Sequence, residues 1–304
     1  MRIIFMGTPD FAVASLEALL HANEEVVAVV TTPDKPAGRG QKMHESAVKK
    51  YAIQQGLPVL QPEKLRDPDF IAALRSYRAD LQIVVAFRML PEIVWSMPPH
   101  GTINVHASLL PQYRGAAPIN HAIIQGETAT GVTTFLLQQE IDTGNILFSQ
   151  QVEIAPDDTA GILHDKLMVA GAEILLKTVQ AIKNDKLQPI PQAAFENTAL
   201  KSAPKIFKKD SEIIWDNPTD QVYNQIRGLS PYPAAFTHLN GKVLKIFETT
   251  RGEFLDKKPG TYTTDGKNFL SFATQDGSLL VTSLQLEGKK RMAITDFLRG
   301  YRLD

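Results

Sequence analysis

Residues 2–31 read RIIFMGTPDFAVASLEALLHANEEVVAVVT and hold two different hydrophobic periods. Arg2–Met6 is a bulky apolar run that reads as a strand. Gly7-Thr8-Pro9-Asp10 interrupts it. Phe11, Leu16, Leu19 and Leu20 then recur at helical spacing, with Asp10 as the expected N-cap. Glu25–Thr31 returns to a strand pattern. A strand, a helix and a strand in this order make a βαβ unit, which points to a mainly parallel sheet.

The alternation continues over the first ~190 residues. Helices are expected near Glu45–Gln55, Pro68–Arg78 and Thr159–Lys183. Strands are expected at Pro58–Leu60, Leu81–Phe87, Thr102–Ala107, Gly131–Gln138 and Ile146–Ile154. Thr32–Met43 carries two prolines and two glycines without apolar periodicity, so it reads as a long exposed loop. From Leu187 to Lys209 the pattern breaks into an extended connector. Beyond Ser211 there is one helical stretch, Thr219–Arg227. Short strands follow, with turns at Asn240-Gly241, Asp265-Gly266 and Asp276-Gly277. The expectation is an α/β Rossmann-like domain over 1–188, a linker over 189–209, and a small OB-like β-barrel over 210–304.

Two domains suit the 304 residues, at ~150 residues per domain. The chain contains no cysteine, which excludes a disulfide scaffold, a thiol nucleophile and an iron–sulfur cluster. The apolar runs are too short for a membrane span or a signal peptide, so a cytoplasmic protein is expected, a monomer by default. Formal charge is −1, but residues 201–304 hold 16 Lys+Arg against 12 Asp+Glu, while residues 1–200 hold 16 against 21. The first region still has a basic stretch in Lys35, Arg39, Lys42, Lys49 and Lys50. Two ordinary solvated surfaces, or a polyanion lying across both regions, would each account for this.

A strand, a glycine and a helix at the amino end invite a dinucleotide site. Gly7-Thr8-Pro9-Asp10-Phe11 supplies one glycine where that fingerprint needs three, and Asp10 competes with phosphate for the helix N-terminus. The architecture stands without the cofactor.

The chemistry concentrates in Gly101–Gly115, GTINVHASLLPQYRG. Asn104 and His106 lie two apart in a strand, so both face one side, near the carboxyl end where α/β sheets place ligands. They are either a satisfied core pair or a reacting pair. Leu109-Leu110-Pro111 is either core or a flat apolar edge suited to a planar heterocycle. Ile141-Asp142-Thr143-Gly144 is either an Asx-type turn or a carboxylate set beside His106. A lone Asp-Thr-Gly in an α/β context does not fit an aspartic protease, which needs two aspartates. His44, His100 and His121 make no ligand set, and no metal is expected.

In order and spacing, Asn104-Val105-His106, Ser108-Leu109-Leu110-Pro111 and Asp142-Thr143-Gly144 resemble the 10-formyltetrahydrofolate-dependent formyltransferases. Within that family the likeness is to members whose acceptor is methionyl-tRNA. It extends over the whole chain, including Gly7–Phe11, Thr32–Gly40, Gly115–Ile119, Leu229–Pro233 and Gly288–Lys290. Other members formylate a nucleotide sugar or glycinamide ribonucleotide, and those have no need of the Arg39 loop or a tRNA-binding barrel. A nucleic-acid-binding protein with an inactive catalytic domain is a further alternative, disfavoured by the intact Asn104, His106 and Asp142.

The resemblance implies that Asn104 and a protonated His106 donate hydrogen bonds to the oxyanion formed during transfer, on the order of 3 kcal/mol per donor. Asp142 would keep His106 charged and receive the amine proton. It implies a folate site formed by Ser108, Leu109, Leu110 and Pro111, with Phe87 and Arg88 in the loop closing over the pterin. It also implies tRNA contacts at Arg39, Lys35, Lys42 and Lys205. Two positions depart from the family pattern. Glu140 stands where glycine is usual, and Ala86–Pro91 is one residue shorter, with Arg88 in place of a small residue.

Overall fold

A computed structural model describes residues 1–37, 42–195 and 199–303. The chain divides into two compact units. The first comprises 1–115, 130–152 and 164–202, and the second 116–129, 153–163 and 203–304.

The first unit is built on a seven-stranded sheet. Its order is Ile146–Glu153, Ala129–Leu136, Thr102–His106, Leu81–Val85, Arg2–Gly7, Glu25–Val30 and Val59–Leu60. The strands from Thr102–His106 to Val59–Leu60 pair in parallel, and Ala129–Leu136 runs antiparallel to Thr102–His106. Helices cover both faces, so Ile3, Ile4, Phe5 and Met6 are all fully buried. On one face Ile4, Met6, Val30 and Val84 pack with Phe70, Leu74 and Val94. This explains why the parallel strands read as continuous apolar runs rather than as an alternation.

Three local expectations change. Asp10 is the first residue of the Asp10–His21 helix rather than its cap. The N-cap is Pro9, and no side chain caps the end. Gly7 allows the turn into this helix, since a Cβ there would stand 2.6 Å from the Ala12 Cβ. The stretch expected as a loop over 32–43 contains a hairpin, Lys35–Ala37 against Lys42–His44. Its base is tied by Lys49 to Asp34 and by Gln61 Nε2 to Asp34 Oδ1 at 2.8 Å. These bonds, the one from Lys49 foremost, hold the Asp34 carboxyl below its ordinary range. Two short helices, Glu92–Trp95 and Pro118–Ile124, were not visible as periodicity. They are too short to complete two amphipathic turns.

The second unit is an antiparallel sheet in the order Ala235–Leu239, Lys242–Gly252, Ser278–Leu286, Leu270–Ala273 and Tyr262–Thr264, with Met292–Ala293 also paired to Ser278–Leu286. Register shifts between Ile246 and Thr249 bend its longest strand, the usual way a sheet curls toward a barrel. Inside, Trp215 stacks on Phe272 at 4.6 Å, and Ile226, Leu244, Leu279 and Phe297 complete the core. The helix Ile294–Gly300 closes it. The turn at Asp265-Gly266 forms as expected: Asp265 accepts the amides of Asn268 and Lys267, which hold its carboxyl far below the ordinary range.

Residues 116–129 and 153–163, placed with the catalytic region by the sequence boundary, pack in this second unit. Asn120 Nδ2 donates to the Gly228 carbonyl at 2.7 Å, and Arg227 Nη1 to that of Asp158 at 2.9 Å. Both bonds join segments far apart in sequence, which no local pattern encodes.

Candidate active site

Thr102–His106 lies between a parallel and an antiparallel neighbour, with Asn104 opposite Val84 and Phe135, and His106 opposite Thr133. Period-2 geometry puts Asn104 and His106 on one face, as expected. His106 is buried, 6% exposed, with its ring edge-on to Phe135. Asn104 is half-buried. Among the described residues no hydrogen-bond partner holds its side-chain amide.

The His106 ring is hydrogen-bonded at one nitrogen and faces a carboxylate with the other. Nε2 lies 2.9 Å from the Tyr113 carbonyl, which can only accept, so Nε2 carries a proton. Nδ1 faces Asp142 Oδ2 at 3.8 Å, too far for a direct hydrogen bond. The same Oδ2 accepts the Gly115 amide at 3.0 Å. Three chain segments therefore converge: the strand end with His106, the following turn with Tyr113 and Gly115, and the loop with Asp142.

That loop adopts an unusual backbone. Asp142 has φ +54°, in the left-handed region where Asp is tolerated better than most residues. At Gly144 a Cβ would stand 1.7 Å from the Leu136 carbonyl oxygen, so only glycine lets the loop close on the strand. Glu140, the departure from the family pattern, is exposed, and its carbonyl accepts the Thr143 hydroxyl at 3.1 Å.

The expected folate residues divide. Ser108 is fully buried, its hydroxyl donating to the Gln112 carbonyl at 2.6 Å. Leu110 packs into the core with Phe135 and Ile146, and Pro111 is buried beside it. Leu109 is half-buried and lies against Gly131, where a Cβ would meet its side chain at 2.5 Å. Phe87 is half-buried as well. Arg88 binds inward: Nη1 donates to the Glu63 carbonyl at 2.9 Å, Nη2 donates to that of Pro62, and burial pushes the guanidinium below its usual range. Of these residues Ser108, Leu110 and Pro111 are buried, and Leu109 and Phe87 keep part of an apolar side chain exposed.

Of the expected tRNA contacts, Lys35 is exposed on the first hairpin strand, and Lys42 belongs to the second. Arg39 lies outside the described residues. Lys205 is exposed in the second unit, with Nζ 5.6 Å above the Phe207 ring. It borders a groove of about 440 Å³ whose lining includes Lys208, Lys245, Phe207 and Tyr232. Phe207 and Lys208 closely follow Lys205 in the chain, whereas Tyr232 and Lys245 join them only by folding. No group of metal-ligating side chains occurs among the described residues, and no helix among them is long and apolar enough to cross a membrane.

Comparison with known proteins identifies the family. Residues 1–179 match the formyl transferase family, and residues 205–302 match the formyl transferase C-terminal domain. The chain is 54% identical over 310 residues to methionyl-tRNA formyltransferase of Bacteroides thetaiotaomicron, covering 100% of this chain and 96% of that protein. Identity to the enzyme of that name from Porphyromonas gingivalis is 48% over 315 residues, with 100% and 96% covered. Among solved structures, HypX from Aquifex aeolicus in complex with tetrahydrofolic acid superposes with a TM-score of 0.68 at 20% identity, covering 100% of this chain and 48% of that one. The sugar 3N-formyl transferase WlaRD gives 0.67 at 22% identity, covering 95% and 99%. At these identities the structural likeness speaks to the fold. With both family models matched and high identity along its whole length, the chain belongs to the formyl transferase family, in its methionyl-tRNA formyltransferase group.

Proposed function

We propose that the chain transfers the formyl group of 10-formyltetrahydrofolate to the α-amino group of methionine on its tRNA, giving N-formylmethionyl-tRNA for translation initiation. The observation that carries this is His106, held between the Tyr113 carbonyl and Asp142 on the same strand face as an unpartnered Asn104 amide. An amine nitrogen attacks the formyl carbon, its bond to N10 of the folate breaks, and one proton passes from the amine to N10. A peptide α-amino group has a pKa of roughly 8, so it needs little activation. The burden is the negative charge that develops on the formyl oxygen. Asn104 and His106 supply donors for it, and Asp142 takes the amine proton, directly or through water. Phe87 and Leu109 sit on loops leaving two adjacent strands and offer the apolar edges that a flat heterocycle needs.

Along the sequence the catalytic region is assigned to 1–188, the linker to 189–209 and the tRNA-binding barrel to 210–304, although 116–129 and 153–163 pack in the second unit. The protein acts as a cytoplasmic monomer. Arg39, Lys35, Lys42 and Lys205 engage the tRNA, and the groove beside Lys205 joins cationic to aromatic side chains, the combination that suits unpaired nucleotides.

The test is transfer assayed with methionyl-tRNA, an amino-sugar nucleotide and glycinamide ribonucleotide in parallel. Formylation of methionyl-tRNA alone is expected; turnover of either other acceptor with none on methionyl-tRNA overturns the proposal. Removing one phosphate contact with Arg39→Ala or Lys205→Ala should raise KM for tRNA and flatten the log–log salt dependence by about one. Folate binding, followed by equilibrium titration, should not change. An unaltered salt slope in both variants would remove these side chains from the tRNA surface.

A further inference from the structure

We propose that Gln192 is a positioning residue that holds the Asp142 loop in place against His106. Gln192 belongs to the stretch read from sequence as a featureless connector, yet it is 5% exposed and opens a short 3-10 turn, Gln192–Phe195. Its amide nitrogen donates to the carbonyls of Asp142 at 2.9 Å and Gly144 at 2.8 Å. Its amide oxygen accepts from Arg114 Nε at 3.0 Å and Nη2 at 2.6 Å. A side-chain amide has two donor hydrogens and two acceptor sites, and all four are used here. The orientation is thereby settled, because a flipped amide would set oxygen against two carbonyls and nitrogen against two guanidinium donors.

The consequence lies in what Arg114 adjoins. Tyr113 gives its carbonyl to His106, and Gly115 gives its amide to the Asp142 carboxylate. Three consecutive residues therefore reach His106, Gln192 and Asp142 in turn. The connector grips this segment again through Gln112 Nε2 to the Ala199 carbonyl at 3.1 Å and the Lys201 amide to Gln112 Oε1 at 2.9 Å. The Asp142–Gly144 backbone, with its left-handed residue, is thus held from one side by the strand and from the other by Gln192. Gln192 touches no reacting atom in this scheme; it acts through Asp142.

The inference rests on the formyl-transfer reading of the site, and the experiment separates the two. Gln192→Met keeps the side-chain volume and removes both donors. It should lower kcat by about 10- to 100-fold, with KM for each substrate changed by less than about threefold, as for a misplaced catalytic group. Because the effect passes through Asp142, Gln192→Met combined with Asp142→Asn should lose no more turnover than Asp142→Asn alone. Hydrogen exchange at the Gly115 amide should quicken in Gln192→Met, a readout that needs no activity at all. Should that variant fail to fold, Arg114→Met removes the guanidinium that orients the amide and should give the same signature. Wild-type turnover, additive losses in the double variant, or unchanged Gly115 exchange would overturn the role of Gln192. A wild-type protein that fails to formylate methionyl-tRNA would overturn the functional reading instead, leaving the exchange result to judge Gln192.

Discussion

His106→Ala is expected to lower kcat by about 10³-fold, since in the proposed mechanism the ring is both an oxyanion donor and the partner of the proton acceptor. Affinity for methionyl-tRNA and for folate should change by less than about threefold, because the change removes an interaction made in the transition state. The geometry argues for this separation. The ring is buried with one nitrogen committed to the Tyr113 carbonyl, while the expected tRNA contacts lie on other segments. Single-turnover rates and separate titrations of each ligand check it. His106→Asn, which keeps a donor in a smaller side chain, should recover part of the rate. Equal losses of turnover and tRNA affinity would show that the ring shapes the binding surface rather than the chemistry.

Gly144→Ala should be the most damaging single methyl group in the first unit. Its Cβ would stand 1.7 Å from the Leu136 oxygen and 2.9 Å from the carbon of the same carbonyl. Both atoms are backbone, in a strand whose Leu136 is registered with Ile103, so no rotamer change relieves the overlap. The loop must withdraw, carrying Asp142 away from the Gly115 amide and from His106. A displacement of about 1 Å is enough to cost around 10²-fold in kcat. Overpacking of this kind lowers stability by about 1–3 kcal/mol. Thermal melts beside steady-state kinetics would register both. A variant with native Tm and native turnover would mean that the loop has room the structure does not show.

Much of the architecture was legible along the chain. The parallel strands carry β-branched runs, the long helix carries its apolar stripe, and Asn104 and His106 fall on one face because a strand repeats every two residues. Each of these is a property of neighbours in sequence. The hairpin at Lys35–His44 leaves no period in the sequence because its strands are three residues each, and Asp10 has the residue type of a cap but stands one position inside the helix.

Sequence alone singled out the candidate groups. Asn104, His106 and Asp142 stand out by residue type and by the motif spacing that carries the family resemblance, and the proposed chemistry rests on them. Only the tertiary structure decided how they meet. Asp142 lies 36 residues from His106, and Gln192 another 50 beyond Asp142. A buried glutamine in a polar, aperiodic connector carries no local signature, because its role is set by four hydrogen bonds to groups remote in the chain. The physical reason is the same in each case. Backbone periodicity acts over a few residues, whereas satisfying buried polar groups is settled by whatever folding brings alongside them.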